Sequence, residues 1–239
     1  MAMVSATDFH TQRVMASGFV TSDEFHPSQA LRVVVQTWPD VYDGETISLP
    51  LPPDVPAEVP SVLLSSRDGA HRMEVSRARV NVIWHRRSET VANLESIFDE
   101  FANRLATVFE QSGAGLGRLA GVVLREASIP EPGVALSRQF CRDEYLSGPL
   151  NRPEGFELHA HKTFVLVPDV TVNSWIRIRT AKGGSPPSQY GHVTVEHDIN
   201  TLAEELETRR FGRDNIVEVL SAVSREVDVI LAMYFPSGG

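Results

Sequence analysis

The sequence predicts an α+β protein of two pseudo-repeated β-α-β-β-β-α units, each an antiparallel sheet backed by one long helix. Three observations carry this. Residues 89–111 and 214–234 place apolar side chains at three- and four-residue steps, the mark of an amphipathic helix. Three strand-like runs precede each of these stretches, and a further strand candidate with a shorter helix candidate precedes each set of runs. Antiparallel strands need one covered face, and a helix with one apolar stripe can cover it.

In order along the chain, "RVMASGFV" (13–20) is the first strand candidate and "PSQALRVVVQTW" (27–38) the first short helix. Its valines also suit a buried strand. The prolines of "LPLPPDVPAEVP" (49–60) leave only an extended surface segment. "VLLSS", "HRMEV" and "RVNVIW" (62–66, 71–75 and 79–84) form the first set of strands. The long helix that follows carries Val91, Leu94, Ile97, Phe98, Phe101, Leu105 and Val108 on its stripe, with Ser88 as the expected N-cap and Gly113 as the stop.

The second unit repeats the order. "LAGVVLREAS" (119–128) is a strand, and "GVALSRQFCRDEYL" (133–146) a short helix. The next three strands are "FELHAHKTFVLV", "VTVNSWIRIRT" and "YGHVTVEHD", the last two joined by the flexible loop "AKGGSPPSQ" (181–189). The terminal helix has its stripe at Ile216, Leu220, Val223, Val227, Ile230 and Tyr234; Asp214 can cap it and Pro236 ends it. The two lobes span 1–130 and 131–239 and pack as one compact unit. "IPEPG" (129–133) is the junction, and the strand at 119–128 is open to assignment to the second unit. The halves share little residue identity, so the repeat is one of pattern.

Composition narrows the function classes. A chain of 239 residues with 42% hydrophobic and 22% charged residues can bury a sizeable core. Its net charge of −9 argues against a general affinity for nucleic acid or an anionic membrane, since phosphate binding rests on concentrated cations. Cys141 is the single cysteine, which excludes an intrachain disulfide and suits a reducing, cytoplasmic compartment. The first residues carry no secretion signal, and no apolar run reaches the length of a membrane span.

Candidate site residues concentrate in the second set of strands. Alternation puts Phe156, Leu158, Ala160, Phe164 and Leu166 on the core side, with Lys162 as the exception. Glu157, His159, His161 and Thr163 then point outward, as do Asn173, Trp175, Arg177 and Arg179 on the next strand. The third strand sends Tyr190, His192, Thr194, Glu196 and Asp198 the same way. For the apolar faces to agree, the "VPD" turn must be of odd length, most simply three residues pairing Leu166 with Val170. That register sets His161 opposite Trp175, His159 opposite Arg177 and Glu157 opposite Arg179.

Binding is the expected role of this face, through His159, His161, Trp175, Arg177, Arg179, Tyr190 and His192. An aromatic beside arginines is the composition of interfaces and stacking surfaces. A protein partner or a nucleotide-like ligand fits, and a homo-oligomer is open. Catalysis is the alternative: "HKTF" and "HVTV" match the His-x-Thr-x pattern of the two-histidine phosphoesterases. His161 and His192 would move protons there, while Thr163 and Thr194 hold phosphate oxygens. Metal binding is not expected, because His159 and His161 make only two ligands and lie near Arg177 and Lys162. No cofactor is implied. "GAGLG" (113–117) lacks the lysine and preceding strand of a phosphate loop, and Gly-x-Ser-x-Gly, Cys-x-x-Cys and His-Glu-x-x-His are absent.

Several stretches also resemble an uncharacterised, sporadically distributed family of bacterial proteins of about 250 residues. They are "TWPDVYD", "LLSSRDGAHRMEV" followed by "RVNVIW", the run into "GLGRLAGVVLREASIPEP", and "VTVEHDIN". The resemblance implies the same two-part α+β plan and a bacterial accessory-type gene. From it follows the expectation of an accessory factor in a conflict system (defence or toxin-antitoxin) or a regulatory one. It implies no catalytic residues.

Overall fold

The computed structural model describes residues 3–21, 25–52, 54–87, 91–148, 153–183 and 190–236. Its strands are β1 (His10–Val20), β2 (Thr46–Ser48), β3 (Val62–Ser65), β4 (His71–Val75), β5 (Arg79–His85), β6 (Leu116–Ser128), β7 (Glu157–Val167), β8 (Val170–Gly183) and β9 (Tyr190–Thr201). Its helices are α1 (Pro27–Thr37), α2 (Leu94–Ser112), α3 (Pro132–Phe140) and α4 (Arg213–Tyr234). The protein is a mixed α/β chain, and its strands form a large antiparallel sheet.

Here the structure corrects the expectation of two separately backed sheets. All nine strands join in one sheet, ordered β2-β3-β4-β5-β1-β6-β9-β8-β7. The join is β1 against β6, antiparallel and paired over nearly their whole length. Both strands are long and apolar, so each uses both of its edges rather than leaving one open to water. β6, the strand open to either lobe, therefore pairs with β1 on one side and β9 on the other.

The two long helices lie on the same face of that sheet and pack against each other. In α2, Phe98, Phe101, Leu105 and Val108 are fully buried, and in α4 so are Leu220 and Val227. From the sheet, Val14, Ala16, Met73, Val82, Val123 and Ile199 face them. Close approach is possible because Gly121 on β6 carries no side chain. A Cβ there would lie 2.7 Å from Val223 Cγ1 and 3.1 Å from a Phe98 ring carbon. α1 extends the same layer, resolving its valines in favour of helix: Pro27 starts it, and Ala30, Val33 and Val34 are buried. α3 completes it, with Leu136 in a second cluster that includes Ile178, Val193, Val195 and Phe235.

Helix ends differ from expectation at the N-termini. α2 starts at Leu94 because the Asn93 side chain accepts a hydrogen bond from the Ser96 N–H (3.1 Å). Val91, expected on the stripe, lies outside the helix at 88% exposure, and Ser88 is outside the described residues. Gly113 stops the helix in the left-handed conformation (φ 71°), as expected. In α4 the cap is Gly212, and Asp214 sits in the first turn, where its charge suits the helix dipole.

Two features were not foreseen. β2 adds a short edge strand ahead of the proline-rich segment. The turn between β7 and β8 contains two residues, Pro168 and Asp169, and Val167 pairs with Val170. Asp169 takes a positive φ of 61°, and a register shift at Leu166 supplies the odd residue that the alternation demands. The loop 184–189 is outside the described residues.

Candidate binding face

With α1 to α4 on one side, the other side of the sheet is left without an α-helix among the described residues. Strand pleating decides what lines it. β4 contributes Arg72 and Glu74; β5 contributes Arg79, Asn81, Ile83 and His85; β1 contributes Arg13, Met15, Ser17 and Phe19. β6 and β9 add Arg118, Val122, Leu124, Glu196, Asp198 and Asn200. β8 and β7 end the face with Trp175, Arg177, Arg179, His159 and His161.

The expected register holds at each position that places a site residue: His161 pairs with Trp175, His159 with Arg177, and Glu157 with Arg179. His161 stacks on Trp175, their centroids 4.0 Å apart and their planes at 20°. Asn173 Oδ1 accepts from Thr163 Oγ1 (2.9 Å) and lies 3.2 Å from His161 Nε2. That shared acceptor favours the tautomer with the proton on Nε2. Trp175 keeps 37% of its surface exposed, and the Arg177 guanidinium lies 5.9 Å from its ring centroid. Arg177 Nη1 pairs with Glu196 Oε1 at 2.6 Å, and the other oxygen of Glu196 lies 3.8 Å from Arg13 Nη2. Arg179 Nε donates to Thr194 Oγ1 at 3.3 Å.

His192 departs from the expected solvent-facing position. It is buried at 9% exposure. The turn into α3 is tied to this end of β9 by Ile129 N–H donating to Gly191 O (3.3 Å). Tyr190 opens β9 opposite Gly183, and its side chain is outside the described residues. Trp175 is opposite Asp198, whereas His192 is opposite Ala181, so His161 and His192 stand six register positions apart. At about 3.3 Å per residue the offset along the strands alone is roughly 20 Å. One phosphate cannot touch both rings, and the pairs His161/Thr163 and His192/Thr194 do not form a shared site. Among the described residues no three His, Cys, Asp or Glu side chains converge as metal ligands.

The β1–β5 half of this face escaped the sequence reading, although "TQRVMASGFV" alternates visibly. Treating the sheets as separate hid its continuity with Trp175. Its charge balance is distinctive. Arg13, Arg72 and Arg79 face only one carboxylate on β1 to β5, Glu74, which pairs with Arg72 at 2.9 Å. Arg79 has a buried Nε without a hydrogen-bond partner, and so does Arg13. Burial, then the charges of Arg87, Arg13 and Arg72, hold the His85 imidazole below its usual range. On β6 to β9 the sign reverses: Arg118, Arg177 and Arg179 are outnumbered by Glu126, Glu157, Glu196 and Asp198.

Two buried polar clusters on the helix side were also missed. Arg104, with its side chain 2% exposed, pairs with Glu100 and donates to Tyr42 Oη (3.1 Å). Arg125 pairs with Asp228 and donates to the Val227 carbonyl (3.1 Å). Beside it Ser174 Oγ lies 2.9 Å from His197 Nε2, and Lys162 Nζ reaches Glu226 at 3.4 Å. An arginine inside an apolar stripe gives no sequence signal that separates burial from snorkelling. A cleft of about 500 Å³ opens between the start of α2 and α4, with Arg86, Arg125, Glu95 and Asp228 in its wall. Arg125 is already neutralised there by Asp228.

No family model matches the chain, and no curated protein does either. Among the described residues no helix is long and apolar enough to cross a membrane.

Proposed function

We propose that this is a non-enzymatic binding protein that uses the helix-free face of its sheet to hold a protein partner or a nucleotide-like ligand. The observation that carries the reading is Trp175. It is a large aromatic left 37% exposed amid arginines and imidazoles, on a face where long polar chains otherwise screen the apolar floor. Trp and Arg are the residues most often found as binding anchors. A cytoplasmic setting suits the lone Cys141, which is unpaired and half-buried. The resemblance of several stretches to a sporadically distributed bacterial family favours an accessory role in a conflict or regulatory system.

The same reading includes an internal duplication. Apart from the additional edge strand β2 between α1 and β3, the series β1-α1-β3-β4-β5-α2 and β6-α3-β7-β8-β9-α4 have the same order of element types. Within the sheet the first half runs β3-β4-β5-β1 and the second β6-β9-β8-β7, which is the mirrored order about the β1–β6 seam. Duplication of one unit followed by pairing of the two first strands accounts for that order.

The test is a photo-crosslinking residue at position 175, with a control at Val229, which is 54% exposed on the helix side. In extract of the source organism, an adduct from 175 that is missing from 229 supports the reading. Identical adducts from both positions, or none from 175, reject it.

A further inference from the structure

We infer that Ser174 is a nucleophilic serine that accepts one short acyl group per chain from a thioester, with His197 as its base. The site goes beyond the binding reading and lies on the helix side of the sheet, not on the face that carries Trp175. Geometry is the first support. Ser174 Oγ is 2.9 Å from His197 Nε2, the reach of an activated nucleophile and its base. A hydrogen bond with the Val227 backbone fixes the imidazole, the part that a third group plays in such arrangements. The neutral ring then offers Nε2 to the serine proton. Ser174 is only 4% exposed, yet it is not sealed in the core. With Ala160, Lys162, Ile176, Ile230 and Met233 it lines a groove of about 130 Å³ where β7 and β8 meet α4.

The groove and the base together select the donor. At about 30 Å³ for a water-sized group the volume holds roughly four, so the acyl chain is short, and the apolar wall suits a hydrocarbon. Lys162 pairs with Ser174 across the β7–β8 ladder, and its ammonium can offset charge on the carbonyl oxygen as the tetrahedral species forms. Glu226, 3.4 Å from a lysine side chain that is 54% exposed, holds that ammonium only weakly. Burial, then Arg125, keeps the His197 imidazole at about 4, a weak base that needs an activated donor. In the step the serine proton passes to His197 Nε2, the bond from Ser174 Oγ to the acyl carbon forms, and the carbon–sulfur bond breaks. The leaving thiolate, whose thiol has a pKa of about 8.5, takes that proton from the imidazolium and departs as a thiol. Hydrolysis of the serine ester would ask the same weak base to expel an alkoxide in place of a thiolate. Uptake therefore stops at one group, a modification and not a turnover.

The test incubates the full chain with the butyryl thioester of N-acetylcysteamine and follows it by intact mass and peptide mapping. One butyryl group should appear on Ser174, and mapping separates it from exchange onto the free thiol of Cys141. Alkaline hydroxylamine should release the group, because it is an ester. Ser174→Ala should abolish that ester, and His197→Gln should slow its formation at least tenfold. An ester at Ser174 that forms no faster than one at the exposed Ser96 overturns the inference. So does a rate unchanged in His197→Gln, or a hydroxylamine-resistant amide on Lys162 in place of the ester. Circular dichroism checks that the variants fold. If either fails to fold, Met233→Trp decides instead, since Met233 is 72% exposed where it lines the groove and the substitution leaves Ser174 and His197 in place. A bulky ring there should slow the labelling of Ser174 at least tenfold, and an unchanged rate rejects the groove as the acyl site.

Discussion

Ser174 Oγ and His197 Nε2 are 2.9 Å apart in the core, where β8 and β9 run beneath α4. Burial, then the nearby charge of Arg125, pushes the His197 imidazole down to about 4; a hydrogen bond with the Val227 backbone opposes the shift, and Lys162 adds to it. The neutral ring therefore accepts from the serine hydroxyl. The folded state binds its proton only near pH 4, whereas the unfolded chain binds it near 6.5. Stability is therefore full above about pH 6.5 and is lost as pH falls from there toward 4. The loss attributable to this ring is on the order of 3 kcal/mol. Urea unfolding at pH 7.5 and 4.5 should show it, and His197→Gln should remove most of it. An unchanged pH slope in the variant would assign the acid sensitivity elsewhere.

Trp175 is expected to matter for binding and little for folding. Trp175→Ala removes an indole that His161 stacks on but that no helix covers. Cooperative unfolding should persist, while affinity for whatever occupies the face falls by about 2 kcal/mol or more, the scale of an interface hot spot. Loss of cooperativity in a melting curve would make Trp175 a folding residue instead.

The Arg104–Glu100 pair should respond asymmetrically. Arg104 is buried, whereas the Glu100 side chain is 46% exposed. Glu100→Ala leaves a guanidinium in the core without its carboxylate, at a cost of about 3 kcal/mol. Arg104→Met removes the charge and keeps the packing, so it should cost less, despite leaving Tyr42 Oη without its donor. Chemical denaturation of the two variants checks the order, and the reverse order would count against this account.

Gly121→Ala tests the approach of the helix layer to the sheet. Its new methyl would meet Val223 at 2.7 Å. Overpacking there should destabilise by about 1–3 kcal/mol. Gly148→Ala is not an equivalent control, because Gly148 has a positive φ of 76°. Gly155 serves better, since its nearest contact is the Thr180 hydroxyl at 3.8 Å.

Local patterns were legible from sequence, and long-range closure was not. The stripe Phe98, Phe101 and Leu105 identified α2, and alternation around His159, His161, Trp175 and Arg177 gave the β7–β8 register residue by residue. Both are periodicities set within a few residues. The pairing of β1 with β6 is set between residues about a hundred positions apart, and nothing in either strand names its neighbour. From that one missing contact followed the split into two sheets and the omission of Arg13 and Arg79 from the candidate face. Caps were half legible: Gly113 announced itself through its backbone freedom, while Asn93 was obscured by the earlier Ser88.

Lys162 interrupts the apolar side of β7, and its ammonium points into the helix layer toward Glu226. β7 is also one of the two outermost strands, eleven residues long, and among the described residues no strand pairs with its far edge. A further strand added at that edge would have to close over a charged stem that now reaches the solvent beside α4. Charged side chains at such positions are among the devices that guard open sheet edges. An inward-facing charge of this kind weighs against strand-to-strand addition at an edge, where an uninterrupted apolar side would favour it.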